Sequence, residues 1–303
     1  MLYLKEEKSL NNNESSNTIP IQWFPGHMTK TKRKIEQDIK LVDVVAEIID
    51  ARVPISSRNP ELDKIIKSKP RIILLNKCDM ADPEQTTKWI KYYKSKGIIA
   101  IDVDCKTGKG LSLFLPSVNL ILKDKIDIWK SKGMVRRNIK IMVIGIPNVG
   151  KSSFINKMSK GTKAKVEDRP GVTRGNQWFS IGKGYELLDT PGVLWPKFDD
   201  PSVGEKLAFT GAIKDQVVDI EQLAAKVLEL LRDGYSEKII ERYKLKEKSI
   251  LNLTGYELLE LIGKSRGMLI SGGEIDIERA SVMILDEFRA GKLGKITLER
   301  VKN

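Results

Sequence analysis

An α/β fold built on a parallel sheet and followed by a small all-helical domain is what the sequence predicts. In the first part of the chain, short β-branched apolar runs alternate with segments of helix length, as is typical of parallel strands covered by helices on both faces. These runs lie at residues 42–49, 71–75, 98–103 and 139–144. After residue 201, apolar side chains instead recur at helical spacing, over residues 220–231, 255–262 and 280–293.

These changes of pattern divide the chain into three parts. We expect a disordered polar tail over residues 1–20, an α/β domain over 21–214 and a helical domain over 215–303. A helix rich in Lys and Arg is predicted over residues 29–40. The runs at 177–181 and 185–188 flank a Gly-Lys-Gly turn, which predicts a β-hairpin.

The composition is that of a basic globular chain. Hydrophobic residues make up 41% of the 303 residues, which argues against a disordered protein. Lys and Arg outnumber Asp and Glu by 53 to 40, so the net charge is +13. This surplus favours a polyanionic partner, either nucleic acid or an acidic membrane surface, and composition does not choose between them.

The cysteine content and the N-terminal sequence suggest a compartment. Cys78 and Cys105 form no Cys-x-x-Cys pair, so neither a disulfide framework nor a zinc site is expected, and a reducing compartment fits best. No apolar run approaches the roughly 20 residues of a membrane span. The N-terminus lacks the apolar core of a secretory signal, and its acidic residues argue against a mitochondrial leader. We expect a cytoplasmic protein that requires no membrane.

Residues 145–152 read G-I-P-N-V-G-K-S and fit the phosphate-binding pattern G-x-x-x-x-G-K-[ST]. The predicted strand at 139–144 precedes them, and a helix can begin at Ser152. Glycines let backbone N–H groups wrap closely around phosphate oxygens. Lys151 is expected to reach the β- and γ-phosphates of a nucleotide, and the Ser152 hydroxyl is expected to bind Mg²⁺.

A purine-recognition motif, Asn-Lys-Cys-Asp at residues 76–79, follows the strand at 71–75. The Asp79 carboxylate can accept two hydrogen bonds from guanine N1–H and the N2 amine, and adenine has no such pair of donors. Asn76 can either contact the purine or tie neighbouring loops together, and the Lys77 stem can cover the base. A polar strand-to-helix turn is the alternative interpretation, but the phosphate-binding motif in the same chain favours GTP.

Two further segments are candidates for sensing the γ-phosphate. Asp189 begins the sequence Asp-Thr-Pro-Gly, where its carboxylate can hold Mg²⁺ through water and the Gly192 N–H can contact the γ-phosphate. Thr173 lies between this segment and the phosphate loop. Its hydroxyl could bind Mg²⁺ while the γ-phosphate is present and release it after hydrolysis, or it could be an ordinary loop threonine.

The order of these motifs is circularly permuted, because the base motif precedes the phosphate loop, whereas Ras-like GTPases have the reverse order. A parallel sheet tolerates this when the old chain ends lie close together. As a result, the segment after residue 192 runs directly into the helical region. We hypothesise that nucleotide-driven movement is transmitted to that region.

With these motifs in permuted order, the chain resembles circularly permuted GTPases of the ribosome biogenesis GTPase A type, which act in assembly of the large ribosomal subunit. The resemblance covers residues 20–300, and its specific marks lie at residues 23–28, 50–54, 145–153 and 170–173. It implies a C-terminal helical RNA-binding domain and stimulation by the ribosomal subunit.

The second base loop departs from this family, which usually has Ser-Ala-Lys or Asn-Ala-Lys there. Here the loop reads Asp104-Cys105-Lys106. The backbone N–H of the loop can still reach guanine O6, whereas a side-chain contact from Asp104 stays open. Motifs and resemblance together predict GTP contacts at Asn76, Lys77, Cys78, Asp79, Asp104, Cys105, Asn148, Val149, Gly150, Lys151, Ser152, Ser153 and Gly192.

Val193 stands where Ras-like enzymes carry the glutamine that orients the attacking water, and valine cannot do this. Intrinsic turnover should therefore be slow unless another group assists Lys151 and Thr173. By resemblance, Asn148 could hold a potassium ion against the phosphates. His27 could lie near the catalytic water, or it could be structural or contact rRNA.

The basic residues cluster in ways that suit an rRNA backbone. The clusters are Lys30, Lys32, Arg33 and Lys34; Lys157, Lys160, Lys163 and Lys165; and Arg136 with Arg137.

We expect a monomer that binds the large subunit, not DNA, and hydrolyses GTP for a late maturation step or its own release. The alternatives are a GTPase for tRNA modification or small-subunit maturation, and a GTP-responsive RNA-binding factor with little turnover. Asp79 argues against an ATPase or small-molecule kinase.

Overall fold

The computed structural model describes residues 28–66, 69–134, 137–160, 177–195, 198–246 and 250–301. The predicted tail over residues 1–20 lies outside this part of the chain, as do His27 and Thr173. Of the predicted basic clusters, Arg136, Lys163 and Lys165 also lie outside it. No helix of the described ranges is long and apolar enough to cross a membrane.

The strands of the described ranges form one sheet in the order β3-β2-β1-β4-β6-β5. Their bounds are β1 Val44–Asp50, β2 Arg71–Asn76, β3 Ile99–Asp102, β4 Ile139–Ile144, β5 Gln177–Ser180 and β6 Tyr185–Asp189. All neighbouring pairs are parallel except β5 with β6, which form the predicted hairpin. Strand β1 is buried along its whole length, because it lies inside the sheet with both faces covered. The predicted α/β class is confirmed.

The helices before residue 215 cover both faces of the sheet. They are α1 Met28–Asp38, α2 Pro60–Ile66, α3 Pro83–Ser95, α4 Phe114–Ile121, α5 Lys123–Ser131, α6 Lys151–Ser159 and α7 Pro201–Phe209. Helix α3 begins where its sequence favours a start, since the Asp82 carboxylate accepts hydrogen bonds from two N–H groups of the first turn and Pro83 follows. Helix α1 ends earlier than the predicted residue 40, because a 3₁₀ turn over Ile39–Leu41 leads into β1.

The remaining helices are α8 Ile220–Tyr243, α9 Gly255–Ser265 and α10 Ile277–Arg289. Helix α9 begins with a capping box, in which the side chains of Thr254 and Glu257 bond each other's backbone N–H groups. Helix α8 extends well beyond the predicted end at residue 231 by changing direction at Tyr235, whose backbone is not helical (φ −152°, ψ 42°). Gly234 directly precedes this change, and glycine inside a helix weakens it.

Alternate residues of the central strands pack on opposite sides of the sheet. On one side, Val45 packs with Ile35 of α1 and Leu62 of α2. On the other side, Ala46 and Phe154 belong to a core that continues without interruption into α8, α9 and α10. The C-terminal helices therefore share a hydrophobic core with the sheet.

The chain end crosses back over the loops that follow β1 and β2. Backbone N–H groups of Ile296 and Leu298 donate to the carbonyls of Met80 (2.9 Å) and Arg52 (2.8 Å). The buried Glu299 carboxylate accepts hydrogen bonds from the backbone N–H groups of Ile55 and Ser56. These contacts join residues more than 200 positions apart in sequence.

Candidate nucleotide-binding site

The predicted phosphate loop connects the end of β4 to the start of α6. Gly150 has a left-handed backbone (φ 103°), and a Cβ atom at this position would overlap the Asn76 side-chain amide. Only glycine satisfies both conditions. Lys151, Ser152 and Ser153 then open α6, where free N–H groups of a first helical turn favour an anion. Ser152 and Ser153 are both exposed residues.

Lys151 is buried at the base of this loop, with 8% of its surface exposed. Its Nζ donates to the Ile146 carbonyl over 2.8 Å. Burial lowers the pKa of the Lys151 ammonium to about 8, and the nearby Asp189 carboxylate only partly offsets that effect. A phosphate placed beside Lys151 would stabilise the positive charge of the ammonium, which burial disfavours.

Asn76 holds the base-side loops against the phosphate loop. Its Nδ2 donates to the Val149 carbonyl (2.6 Å), and its Oδ1 accepts from the Cys105 N–H (2.9 Å). The residue is 97% buried, so both bonds are shielded from water. Of the two roles that the sequence left open for Asn76, the geometry favours tying the loops together.

The other members of the base motif point in different directions. Asp79 is exposed, so its carboxylate is accessible to a ligand. Lys77 has a left-handed backbone (φ 61°), and its Nζ pairs with the Asp50 carboxylate over 2.9 Å. Burial and the nearby Asp102 carboxylate raise the pKa of the Cys78 thiol to about 11.

The Asp104 carboxylate forms hydrogen bonds within its own loop in this structure. Its carboxylate accepts from the backbone N–H groups of Lys106 (2.8 Å) and Thr107 (3.3 Å) and from the Thr107 hydroxyl (2.5 Å). Burial opposes ionisation of Asp104, but these hydrogen bonds outweigh it and lower its pKa. The Cys105 N–H, predicted to reach guanine O6, here donates to Asn76.

The predicted γ-phosphate segment lies directly against the phosphate loop. A Cβ atom on Gly192 would meet both the Pro147 backbone and the Lys151 Nζ at less than 3 Å. The Val193 N–H donates to the Gly145 carbonyl (3.3 Å). The Val193 side chain is buried in the core beneath α1 and α2. It therefore points away from any site where it could contact water.

Asn148 connects the phosphate loop to the end of α7. Its backbone is left-handed (φ 60°), and its Nδ2 donates to the Gly211 carbonyl over 2.6 Å. Arg289 of α10 binds the same turn, donating to the carbonyls of Ala208 and Phe209 and pairing with Asp215. The side chain expected to hold potassium is thus engaged with α7 in this structure.

An ion-pair network to which the sequence motifs assigned no role connects the end of β1 to the base loop. The Asp50 carboxylate accepts from the Arg52 guanidinium (2.8 and 3.0 Å) and from Lys77. Arg52 also donates to the Phe288 carbonyl (3.0 Å) and lies 5.1 Å from the centroid of that ring. Burial opposes the charge on Asp50, but Arg52 and Lys77 outweigh it and hold its pKa well below the usual range. The signal was present, since Asp50 ends a fully buried strand and an Arg follows two residues later.

The donor atoms at this edge of the sheet suit Mg²⁺ bound together with phosphates. Among the described residues, no group of three or more His, Cys, Asp or Glu side chains could hold a metal. Asp189 supplies one carboxylate, whose pKa is raised by burial against the opposing effect of Lys151. Ser152 supplies a hydroxyl. Mg²⁺ is typically held by one or two carboxylates, with waters and substrate phosphates completing its shell.

The permuted motifs thus meet at the carboxyl edge of the sheet, where Asn76 joins the base loops to a glycine-containing phosphate loop. The fold and these loops define a P-loop GTPase with circularly permuted motif order. Residues 140–256 match the family described as 50S ribosome-binding GTPase.

Comparison with known proteins makes the assignment narrower. Over 92% of this chain, the sequence is 48% identical to ribosome biogenesis GTPase A of Bacillus cereus, covering 93% of that protein. It is 31% identical to ribosome biogenesis GTPase A of Thermotoga maritima, over 92% of this chain and 94% of that protein. The crystal structure of GNP-bound YlqF from T. maritima has a TM-score of 0.61 at 29% identity, covering 89% of this chain and 98% of that one. A GDP-bound YlqF structure has a TM-score of 0.64.

The chain belongs to the ribosome biogenesis GTPase A family. It is a GTP-binding protein that hydrolyses GTP, and its task is ribosome biogenesis. The resemblance inferred from the motifs is confirmed.

Proposed function

We propose that this GTPase binds the assembling large ribosomal subunit through rRNA, and that hydrolysis to GDP and phosphate drives a late maturation step or the release of the protein. The observation that carries the proposal is the similarity to ribosome biogenesis GTPase A over 92% of the chain. The description of the matching family names the 50S particle, and the net charge of +13 suits an RNA partner. We further propose that the protein acts as a monomer in the cytoplasm.

The roles of the nucleotide-site residues are part of this proposal. Asp79 selects guanine, Lys151 neutralises the phosphates, and Asn76 fixes the loops around the base. Mg²⁺ is held by Ser152 and Asp189, with Thr173 joining when the γ-phosphate is present. Support comes from the exposed Asp79 carboxylate and from the buried, partly uncompensated charge of Lys151.

The catalytic aid is proposed to be a potassium ion held by Asn148, with His27 as a second candidate. The buried side chain of Val193 supports the need for such an aid, because the chain has no water-orienting glutamine at that position. A potassium ion would be held by the Asn148 Oδ1, since the Nδ2 of the same amide donates to the Gly211 carbonyl.

The RNA-binding role is proposed for the helical domain over residues 215–303 together with the basic clusters. Lys30 of α1 is exposed, as are Lys157 and Lys160 at the end of α6. Lys32 instead pairs with Glu61 over 3.3 Å at the surface, an interaction that contributes little energy and can exchange for a phosphate.

The decisive experiment measures GTP hydrolysis with and without purified large ribosomal subunits, with small subunits as the control. We expect stimulation by large subunits alone. Stimulation by small subunits, or by neither particle, would contradict the large-subunit proposal while leaving the GTPase assignment intact.

A second set of assays, in potassium and in sodium buffer, tests the catalytic aid. Asn148→Ala should remove the preference for potassium, whereas the neighbouring exposed polar residue Asn156, changed to Ala, should keep it. Full subunit-stimulated turnover by His27→Ala would exclude His27 as the catalytic aid.

A further inference from the structure

A cavity of about 350 Å³ lies away from the nucleotide loops, between α2, α3 and the segment that enters α7. Five aromatic residues contribute to its wall, namely Trp89, Tyr92, Tyr93, Trp195 and Phe198. Trp195 comes three residues after Gly192, so the cavity is connected through a short stretch of chain to the proposed γ-phosphate segment.

The aromatic wall is held in place by hydrogen bonds and ring contacts. The Trp89 Nε1 donates to the Glu299 carbonyl (3.0 Å), and the Tyr93 hydroxyl donates to the Pro54 carbonyl (3.1 Å). Trp195 and Phe198 pack edge to face with centroids 5.0 Å apart. Tyr92 packs in the same way against Trp89 at 5.3 Å but is 37% exposed, so its ring faces both the wall and solvent.

Most of the charged residues that line the cavity are acidic, although the chain as a whole is strongly basic. Among the described residues, the lining holds three carboxylates, Asp63, Asp199 and Asp200, and one cation, Arg58. Arg58 is already paired with Asp63 (2.8 Å) and with Glu47 (3.2 Å). Asp200 accepts hydrogen bonds from Ser202 at the start of α7. Asp199 is exposed and makes no hydrogen bond or ion pair with another described residue.

We propose that this cavity binds an arginine side chain from a basic segment of a partner protein. A guanidinium stacks on aromatic faces and pairs with carboxylates, so it matches both features of the lining. RNA phosphates would be repelled by the carboxylates, and a purely apolar group would match the aromatic rings but not the carboxylates. The proposal is independent of which ribosomal subunit the GTPase acts on.

The test is binding of a fluorescently labelled hexa-arginine peptide to the full chain at physiological salt, followed by anisotropy. Asp199→Asn removes the charge at constant shape, and Tyr92→Leu removes the ring while keeping apolar volume. Each should weaken binding by about fivefold, and both together by more than tenfold. The matched controls are Asp124→Asn on α5 and Tyr256→Leu on α9, both exposed and outside the cavity, and they should leave affinity unchanged.

Several outcomes would overturn the proposal. The first is that the peptide does not bind the parent chain, as expected if its own residues 1–27 or a second copy filled the cavity. The second is that the test and control variants lose peptide affinity equally. Competition by hexa-uridylate that depends on Tyr92 would instead assign the cavity to RNA. Basal GTP hydrolysis should be unchanged in all four variants, so failure here is distinguishable from failure of the large-subunit assay.

Discussion

At the scale of single residues, Asn76 shows how one buried amide can organise a nucleotide site. It satisfies a carbonyl of the phosphate loop and an N–H of the second base loop at the same time. A buried backbone group that loses its partner retains the full penalty of desolvation. The geometry of both loops therefore depends on this side chain.

Asn76→Ala should lower the free energy of unfolding by about 2–4 kcal/mol, because it leaves the Val149 carbonyl and the Cys105 N–H without partners. It should also weaken GDP binding by at least about tenfold. Urea denaturation and titration with a fluorescent GDP analogue would check both. The control is Asn138→Ala, which removes an exposed bond to Glu186 and should change stability by less than about 0.5 kcal/mol. Equal effects of the two variants would refute this role.

The two cysteines yield a prediction about pH. Burial raises the pKa of Cys78 to about 11 and that of Cys105 to about 12. Because the thiolate is the reactive form, alkylation of Cys78 by iodoacetamide at pH 8 should be on the order of a hundredfold slower than for a free cysteine, and alkylation of Cys105 should be slower still.

For a chain carrying Cys105→Ala, the rate at Cys78 should rise about tenfold per pH unit from pH 7 to 10, since the thiolate fraction grows in that proportion below the pKa. Unfolding in urea should restore ordinary reactivity. A rate that levels off near pH 8.5 in the folded protein would show that the Cys78 pKa is not raised.

At the scale of elements, the end of β1 is attached to α10 by a buried ion pair. Arg52 is 1% exposed, and its guanidinium binds both Asp50 and the Phe288 carbonyl. Removing one member of a buried pair leaves the other charge uncompensated, which is more costly than never having buried the pair. Lys77 continues the network to the base loop.

Arg52→Ala should therefore lower the free energy of unfolding by about 3–5 kcal/mol, whereas Arg279→Ala, an exposed change on α10, should have little effect. The loss of stability in Arg52→Ala relative to the parent chain should depend on pH. In the parent chain the pKa of Asp50 is depressed, so its stabilisation is complete above the ordinary carboxyl pKa and is lost as pH falls below it.

In Arg52→Ala the buried Asp50 carboxylate loses its main partner, so protonation removes an uncompensated charge. The difference in the free energy of unfolding between variant and parent should therefore narrow in acid. Urea denaturation at pH 7 and pH 4 measures this. A gap that stays constant over that range would contradict the assignment.

At the scale of the whole molecule, the phosphate and base loops are both attached to the end of α10. The base loop is connected to α10 through Asp50, which pairs with Arg52, and Arg52 in turn donates to the Phe288 carbonyl. The phosphate loop is reached through Asn148, which binds the same turn after α7 that Arg289 holds. Tyr235, at the bend in α8, bonds Thr297 of the chain end. These contacts provide a physical route, beyond the covalent one, from the nucleotide to the C-terminal helices.

Amide hydrogen exchange in α7 and the first half of α8 should differ between the GDP form and a non-hydrolysable GTP form. We expect faster exchange in the nucleotide form in which the bond from Asn148 to the Gly211 carbonyl is weaker. Arg289→Ala should raise exchange in both forms and reduce the difference between them, whereas Arg279→Ala should preserve it. Exchange independent of nucleotide throughout residues 198–301 would exclude this coupling.

The sequence by itself determined the features that depend on short stretches of chain. The parallel strands, the hairpin of β5 and β6, and the identity of the GTP motifs follow from local backbone preferences, from apolar periodicity and from chemistry confined to a few adjacent residues. The same is true of the helix start at Asp82, where one side chain caps its own helix. Family membership followed because those short motifs and their permuted order are themselves distinctive.

Only the tertiary structure decided how the motifs are held together. It shows Asn148 on Gly211, Cys105 on Asn76, Val193 in the core and Arg52 on Phe288. It also places Trp195 and Trp89 in the wall of one cavity. Each of these contacts joins residues that are far apart in the chain. Such partners are selected by packing and by the need to satisfy buried polar groups once the chain has folded, and neither requirement leaves a signal in local sequence.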